Sequence, residues 1–240
     1  MNRNDNLQFE FMTAGQQVMI QAFGHCLINK SKVFLLDKAG SGFRYTLEKA
    51  FRMFGNTRVI SVSVVPTLDM TKLVLNMYKQ TCMVKFSNLN KKAVDPHELL
   101  VKINSRLKQD LLGKRILIVF NHVHLLRSME RMQAFVDLLL SIPFPCGVIL
   151  RTTVSHIKAI KESRDFQGLY ATMRVSFGWK RIPPVTRGEV ETLCLANGLT
   201  DKTLIGEIAS KSKNLKVSQY HIDRSKKLPA VTQMQLSFLE

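Results

Sequence analysis

The stretch "VFLLDKAGSGFRYTLEKAF", residues 33–51, decides how the rest of the chain is read. An apolar run rich in strand formers meets a glycine-broken turn, and helical spacing follows. This is the outline of a phosphate-binding loop, which follows G-x-x-x-x-G-K-[ST]. In such a loop the glycines let backbone N–H groups close on a phosphate. The lysine reaches the outer phosphates and the hydroxyl holds magnesium. Here Asp37 stands at the first glycine, Phe43 at the lysine and Arg44 at the hydroxyl residue. Gly40, Ser41 and Gly42 keep the backbone freedom, but the side chains that do the chemistry have changed. Arg44 offers charge one position late. The competing reading is a tight strand-to-helix turn that holds no ligand.

Outward from this stretch, strands and helices alternate. Apolar positions at helical spacing predict a helix over 11–29, and "KVFLL" predicts a strand at 32–36. "YTLEKAFRMF" (45–54) predicts a helix, and the β-branched alternation of "RVISVSVV" (58–65) a strand. A helix over 67–80 and a polar connection at 86–94 follow. Asp95 as N-cap with Pro96 at the first helical position opens a helix to 112. "RILIVF" (115–120) has the continuous apolar character of a buried strand. A helix at 128–142, a strand at 146–153 and a last strand at 173–179 complete the alternation. After Pro183-Pro184 only helical segments follow, about 186–197, 201–211 and 214–227. Alternation of this kind predicts an α/β fold, a parallel sheet flanked by helices, followed by a small all-α part. The predicted division is 1–182, 183–228 and a tail, 229–240.

Lys and Arg number 35 against 18 Asp and Glu, a net charge of +17, with pI near 10.0 and mean hydropathy of −0.01. Basic residues are spread along the chain, which points to a polyanionic partner, nucleic acid being the commonest. Four widely spaced cysteines without a C-x-x-C pair argue against a zinc site or a disulfide framework and fit buried thiols in a reducing compartment. No apolar run reaches the length of a membrane span, about 18–20 residues. "MNRNDNLQFEF" carries no signal-peptide core. The expectation is a cytoplasmic protein without membrane contact.

In a doubly wound sheet, ligands lie beyond the C-terminal ends of the strands. After "ILIVF" an NTPase places carboxylates to hold magnesium and activate water, but Asn121 and His122 occupy those positions. Asn binds a hard cation far less well than Asp. His122 and His124, two apart, are too few for a metal site, so no metal is expected. Thr153, after "GVILRT", offers a hydroxyl to a phosphate or a water. The catalytic reading is therefore none, and ATP hydrolysis by the usual route is not expected. The Gly loop still permits ATP binding without hydrolysis, although the missing lysine argues against it.

The order of these elements resembles the AAA+ P-loop ATPases of the DNA-transposition type, the group of phage Mu B, TnsC and IstB. The residues that carry it are the Gly loop, "RVISVSVVPTLDMTKLV", "ILIVFNHVHLL", "GVILRTT" and the tail "TRGEVETLCLANGLTDKTLIGEIASKSKNLKVSQYHI". The resemblance covers about residues 10–228. It implies that 183–228 is a helical lid. Lys216 would sit at the sensor arginine, Arg174 would face a neighbour's nucleotide, and Thr153 would be the polar sensor. Both Walker motifs are degenerate, so the implied protein is a pseudo-ATPase. The family binds duplex DNA without much sequence preference, assembles into oligomers or filaments on it, and presents it to a transposase. Lys158, Lys161 and Arg164, after "GVILRTT", are the expected DNA contacts. The alternative implied is an inactive subunit of an origin-recognition-like replication initiator. A third reading, an unusual NTPase that uses Arg44, requires measurable turnover. The apolar tail residues Met234, Leu236, Phe238 and Leu239 suggest a docking peptide or a segment packed on its own lid.

Overall fold

The computed structural model describes residues 11–66, 69–83, 95–110, 113–141 and 145–227. The expected connection at 86–94, Thr67 and the tail 229–240 lie outside the described residues.

In chain order the elements are α1 (Ala14–Asn29), β1 (Lys32–Leu36), α2 (Phe43–Phe54), β2 (Thr57–Ser63), α3 (Met70–Cys82) and α4 (Pro96–Asp110). There follow β3 (Arg115–Asn121), α5 (Met129–Ser141), β4 (Gly147–Thr152), α6 (Val154–Glu162), α7 (Gln167–Ser176) and β5 (Gly178–Arg181). The last three helices are α8 (Arg187–Ala196), α9 (Lys202–Lys211) and α10 (Leu215–Lys227). Among the described residues all strand pairings are parallel, in the order β2-β3-β4-β1-β5.

Sequence pattern assigns each strand its place. In β3 the residues Ile116 to Phe120 are all buried, so both faces are covered, and the strand reads as one apolar run. In β2, at an edge, only Ile60 and Val62 are buried while Ser61 and Ser63 face outward. β5, at the other edge, carries exposed Lys180 and Arg181, charges that discourage further strand pairing. Trp179 of β5 stacks on Phe34 at 4.7 Å between ring centroids. Gly147 opens β4 where the chain runs against α1, and a Cβ there would stand 2.6 Å from the Cys26 carbonyl oxygen.

One expectation fails. The strand predicted over 173–179 is displaced: Met173–Ser176 ends α7 and the strand begins at Gly178. Leu169 and Met173, four apart, are the buried positions of that helix, and Val175 is 90% exposed. Helical packing of the Leu169–Met173 stripe overrides the alternation of "MRVSFGW".

The chain divides into two compact units. One comprises Ile20–Asp37 and Leu47–Arg181 and contains the sheet. The other comprises Met1–Met19, Lys38–Thr46 and Ile182–Glu240, so the Gly loop belongs with the helices α8 to α10. That helical unit has its own core of Val190, Cys194, Leu199, Ile205, Ile208, Ala209 and Ile222. A capping box opens α8: the Thr186 hydroxyl accepts from the Glu189 N–H, and the Glu189 carboxylate accepts from the Thr186 N–H. The cysteines are free, with Cys26, Cys146 and Cys194 buried, and burial pushes the Cys146 thiol up to about 12. Among the described residues no helix is long and apolar enough to cross a membrane.

Candidate functional site

Within the sheet unit, the site is built at the C-terminal ends of β1, β3 and β4. Parallel register brings their ends together: Leu36 stands opposite Thr152, and Phe120 opposite Leu150. The Asp37 N–H continues the ladder to the Thr152 carbonyl at 2.9 Å. This places the Asp37 side chain, 2% exposed, beside Arg151 of β4, whose Nε donates to Oδ2 at 2.7 Å. An ion pair therefore occupies the end of β1. Among the described residues, Asp37 Oδ1 and Thr152 Oγ1 are buried without a hydrogen-bond partner.

The expected Walker B positions fall at the end of β3. Asn121 Nδ2 donates to Ser61 Oγ of β2 at 2.8 Å, so its amide links two strands. His122 follows in the left-handed conformation, φ 64°, with its ring exposed, a conformation uncommon outside glycine. The His122 and His124 rings meet edge to face, 5.7 Å between centroids. His124 and His156 are both pushed down. Burial is the main cause for His124, with His122, Arg151 and Arg127 adding positive charge nearby. His156 is pushed down to about 4 by burial, with His124 and Arg127 contributing. Both imidazoles are thus neutral at pH 7. Among the described residues no group of three or more His, Cys, Asp or Glu side chains could hold a metal ion. Thr153 is the N-cap of α6: its hydroxyl accepts from the His156 N–H at 3.2 Å and lies 3.1 Å from Ser155 Oγ.

In the helical unit the Gly loop precedes α2. Gly40 and Gly42 have φ of 82° and 80°, conformations that glycine adopts freely. Phe43, at the lysine position, is 5% exposed, so its ring is packed inward and carries no charge to an outer phosphate. Arg44 is exposed on the first turn of α2. Thr46 is buried, its hydroxyl donating to the Gly42 carbonyl at 3.0 Å. The exposed Lys216 lies on the first turn of α10, and its N–H donates to the Gly40 carbonyl at 3.2 Å. Beside the loop is a cavity of about 700 Å³ lined by Tyr45, Tyr220, Gln16, Gln219, Leu215 and Asp223 among others.

Arg174 lies exposed in the last turn of α7. Lys158 and Lys161 are exposed on α6 and Arg164 in the short turn after it, and Lys158 is 3.7 Å from Glu162. The structure places Asn121 and Thr153 at the ends of the neighbouring strands β3 and β4, and the Lys216 N–H on the Gly40 carbonyl. Sequence reasoning missed Arg151 as the partner of Asp37, the buried His156, and Asn214, whose amide lies against Gly40. The signal for the first was an acid just past one buried strand and a base near the end of another.

The fold, a parallel sheet flanked by helices with a small helical part after it, is shared with solved AAA+ proteins. Cdc6p from Pyrobaculum aerophilum is similar, at 14% identity and TM-score 0.60, over 92% of this chain and 62% of that one. This chain therefore spans less than two thirds of that protein's length. Orc1 of Aeropyrum pernix, solved in complex with DNA, is 10% identical, TM-score 0.51, over 97% of this chain and 73% of its own. Domain III of the replication initiation protein DnaA of Thermotoga maritima is 11% identical, TM-score 0.55, over 97% of this chain and 95% of the domain. Identities this low concern the fold alone. No family model matches the sequence, and no curated protein matches it.

Proposed function

We propose that this chain is a DNA-binding protein on an AAA+ scaffold, a pseudo-ATPase that assembles on duplex DNA and recruits a transposition partner. The observation that carries the DNA reading is the charge: +17 on 240 residues. Neutralised phosphates and released counterions supply affinity without reading sequence. Orc1, which has a similar fold, was solved with DNA, and this lends the same reading support. The pseudo-ATPase part is supported by what stands at the strand ends: a buried ion pair, an amide and neutral imidazoles, where hydrolysis needs carboxylates and magnesium. The transposition part rests on the resemblance in element order and lid.

Fluorescence anisotropy with a random-sequence duplex, over a salt series and with and without ATP–magnesium, tests this. Tight, salt-sensitive binding that ignores ATP is expected. Absence of DNA binding would overturn the proposal, an ATP requirement would mean that the Gly loop still holds nucleotide, and measurable ATP turnover would overturn the pseudo-ATPase part. Electron microscopy of the DNA-bound protein then reads assembly, where filaments are expected.

Arg174, exposed beside the 90% exposed Val175, favours a second reading. Here the chain is an inactive subunit that packs against an active AAA+ neighbour, as in an initiator complex. It predicts that Arg174→Ala lowers the neighbour's ATPase activity. A homo-filament on plain duplex, unaffected by Arg174→Ala, would remove it.

A further inference from the structure

The AAA+ fold implies a nucleotide on the Gly loop, and the residues around the loop disagree with that. The first turn of α10 is laid across it. A Cβ on Gly40 would stand 2.4 Å from Asn214 Oδ1 and 2.9 Å from Nδ2, so the Asn214 amide fills the space over that residue. A Cβ on Gly42 would stand 3.1 Å from Leu215 Cδ1. The glycines of this loop thus admit the chain's own side chains at close range.

The polar groups agree with the packing. A loop and a helix N-terminus bind an anion by pointing unpaired N–H groups at it. In α10 the Lys216 N–H is already given to the Gly40 carbonyl at 3.2 Å, and the Val217 N–H to Asn214 Oδ1 at 3.0 Å. The loop therefore presents a carbonyl oxygen to this helix, and a carbonyl repels a phosphate. The lysine that would offset the repulsion is the buried Phe43.

We propose that the first turn of α10 is a built-in plug. Asn214 closes the Gly loop from within, holding lid and loop together without nucleotide and excluding a triphosphate. One consequence rests on the function proposed above: DNA binding is constitutive, because no nucleotide is needed to set the lid.

Hydrogen exchange of the full-length chain, read by mass spectrometry without DNA, tests the plug. In the wild type, loop residues 39–42 and the Lys216 amide exchange slowly, and added ATP–magnesium leaves them unchanged. Asn214→Ala removes both plug and N-cap. Asn214→Ser keeps a capping oxygen but lacks the amide over Gly40. Both variants are expected to speed exchange at these amides by about tenfold or more, while those of Ile205 and Ile208 in α9 stay protected. Faster exchange in the alanine variant alone would make Asn214 only a helix cap and overturn the proposal. Slowing of wild-type loop exchange by ATP–magnesium would overturn it as well. No DNA enters the measurement, so its failure is distinguishable from failure of the DNA-binding reading.

Discussion

Asp37 and Arg151 form a buried ion pair at the strand ends. A carboxylate 2% exposed survives in an apolar sheet only because the Arg151 guanidinium bonds it at 2.7 Å. Arg151→Ala strands that charge, and a loss of about 3–5 kcal/mol is expected from urea unfolding. Replacing both, Asp37→Gly with Arg151→Leu, should recover much of it, because the pair's desolvation cost disappears with the pair. His156 makes a pH prediction. Its folded value is about 4 against 6.5 unperturbed, so the folded state favours the neutral ring. The contribution is full above about pH 6.5 and is lost as pH falls toward 4, because the unfolded chain takes up the proton first. The ring is partly solvent-accessible, so the loss is about 1–2 kcal/mol once screening is allowed for. His156→Gln should flatten the decline in unfolding midpoint between pH 7 and pH 4.5. An equally steep decline would remove His156 as its cause.

Arg58 shows at the scale of elements how a strand and two helices are tied. Its guanidinium bonds the Asp110 carboxylate at the end of α4. It also donates to the carbonyls of Gln80 and Thr81, at 3.1 and 2.6 Å, in the last turn of α3. Those carbonyls belong to a helix C-terminus and have no partner within the helix. Removing the guanidinium strands both them and a carboxylate only 15% exposed, for which Arg106 at 3.4 Å remains as a partner among the described residues. Arg58→Ala should therefore cost about 3 kcal/mol in a denaturant titration. Arg58→Lys should recover little, because an ammonium cannot fork to three acceptors in one plane. At this scale sequence patterning read β1 to β4 closely, since β-branched runs and buried periodicity are local. It misread 173–179 because "MRVSFGW" alternates as a strand does. Leu169 and Met173 were the available sign that helical packing would win.

The charge of the whole molecule sets its expected behaviour toward DNA. With Lys158, Lys161 and Arg164 replaced by Ala together, the slope of log affinity against log salt should fall by about 2–3, near 0.9 for each phosphate left without its cation. An unchanged slope would count against these three residues as the contacts of the proposed DNA-binding surface. Stability should change little, since all three side chains are exposed.

By itself the sequence determined the alternation of strands and helices, the all-helical end after Pro183-Pro184, the surplus of positive charge and the residue types at the Gly loop and the strand ends, Phe43, Arg44, Asn121 and His122 among them. Each is a matter of residue type or of short-range spacing. The tertiary structure alone decided which groups meet at the strand ends and at the Gly loop. Arg151 meets Asp37 across 114 residues because β1 and β4 are neighbours in the sheet. Asn214 reaches Gly40 because α10 packs its first turn on the loop. Such pairings depend on strand order and helix docking, and no local pattern encodes these.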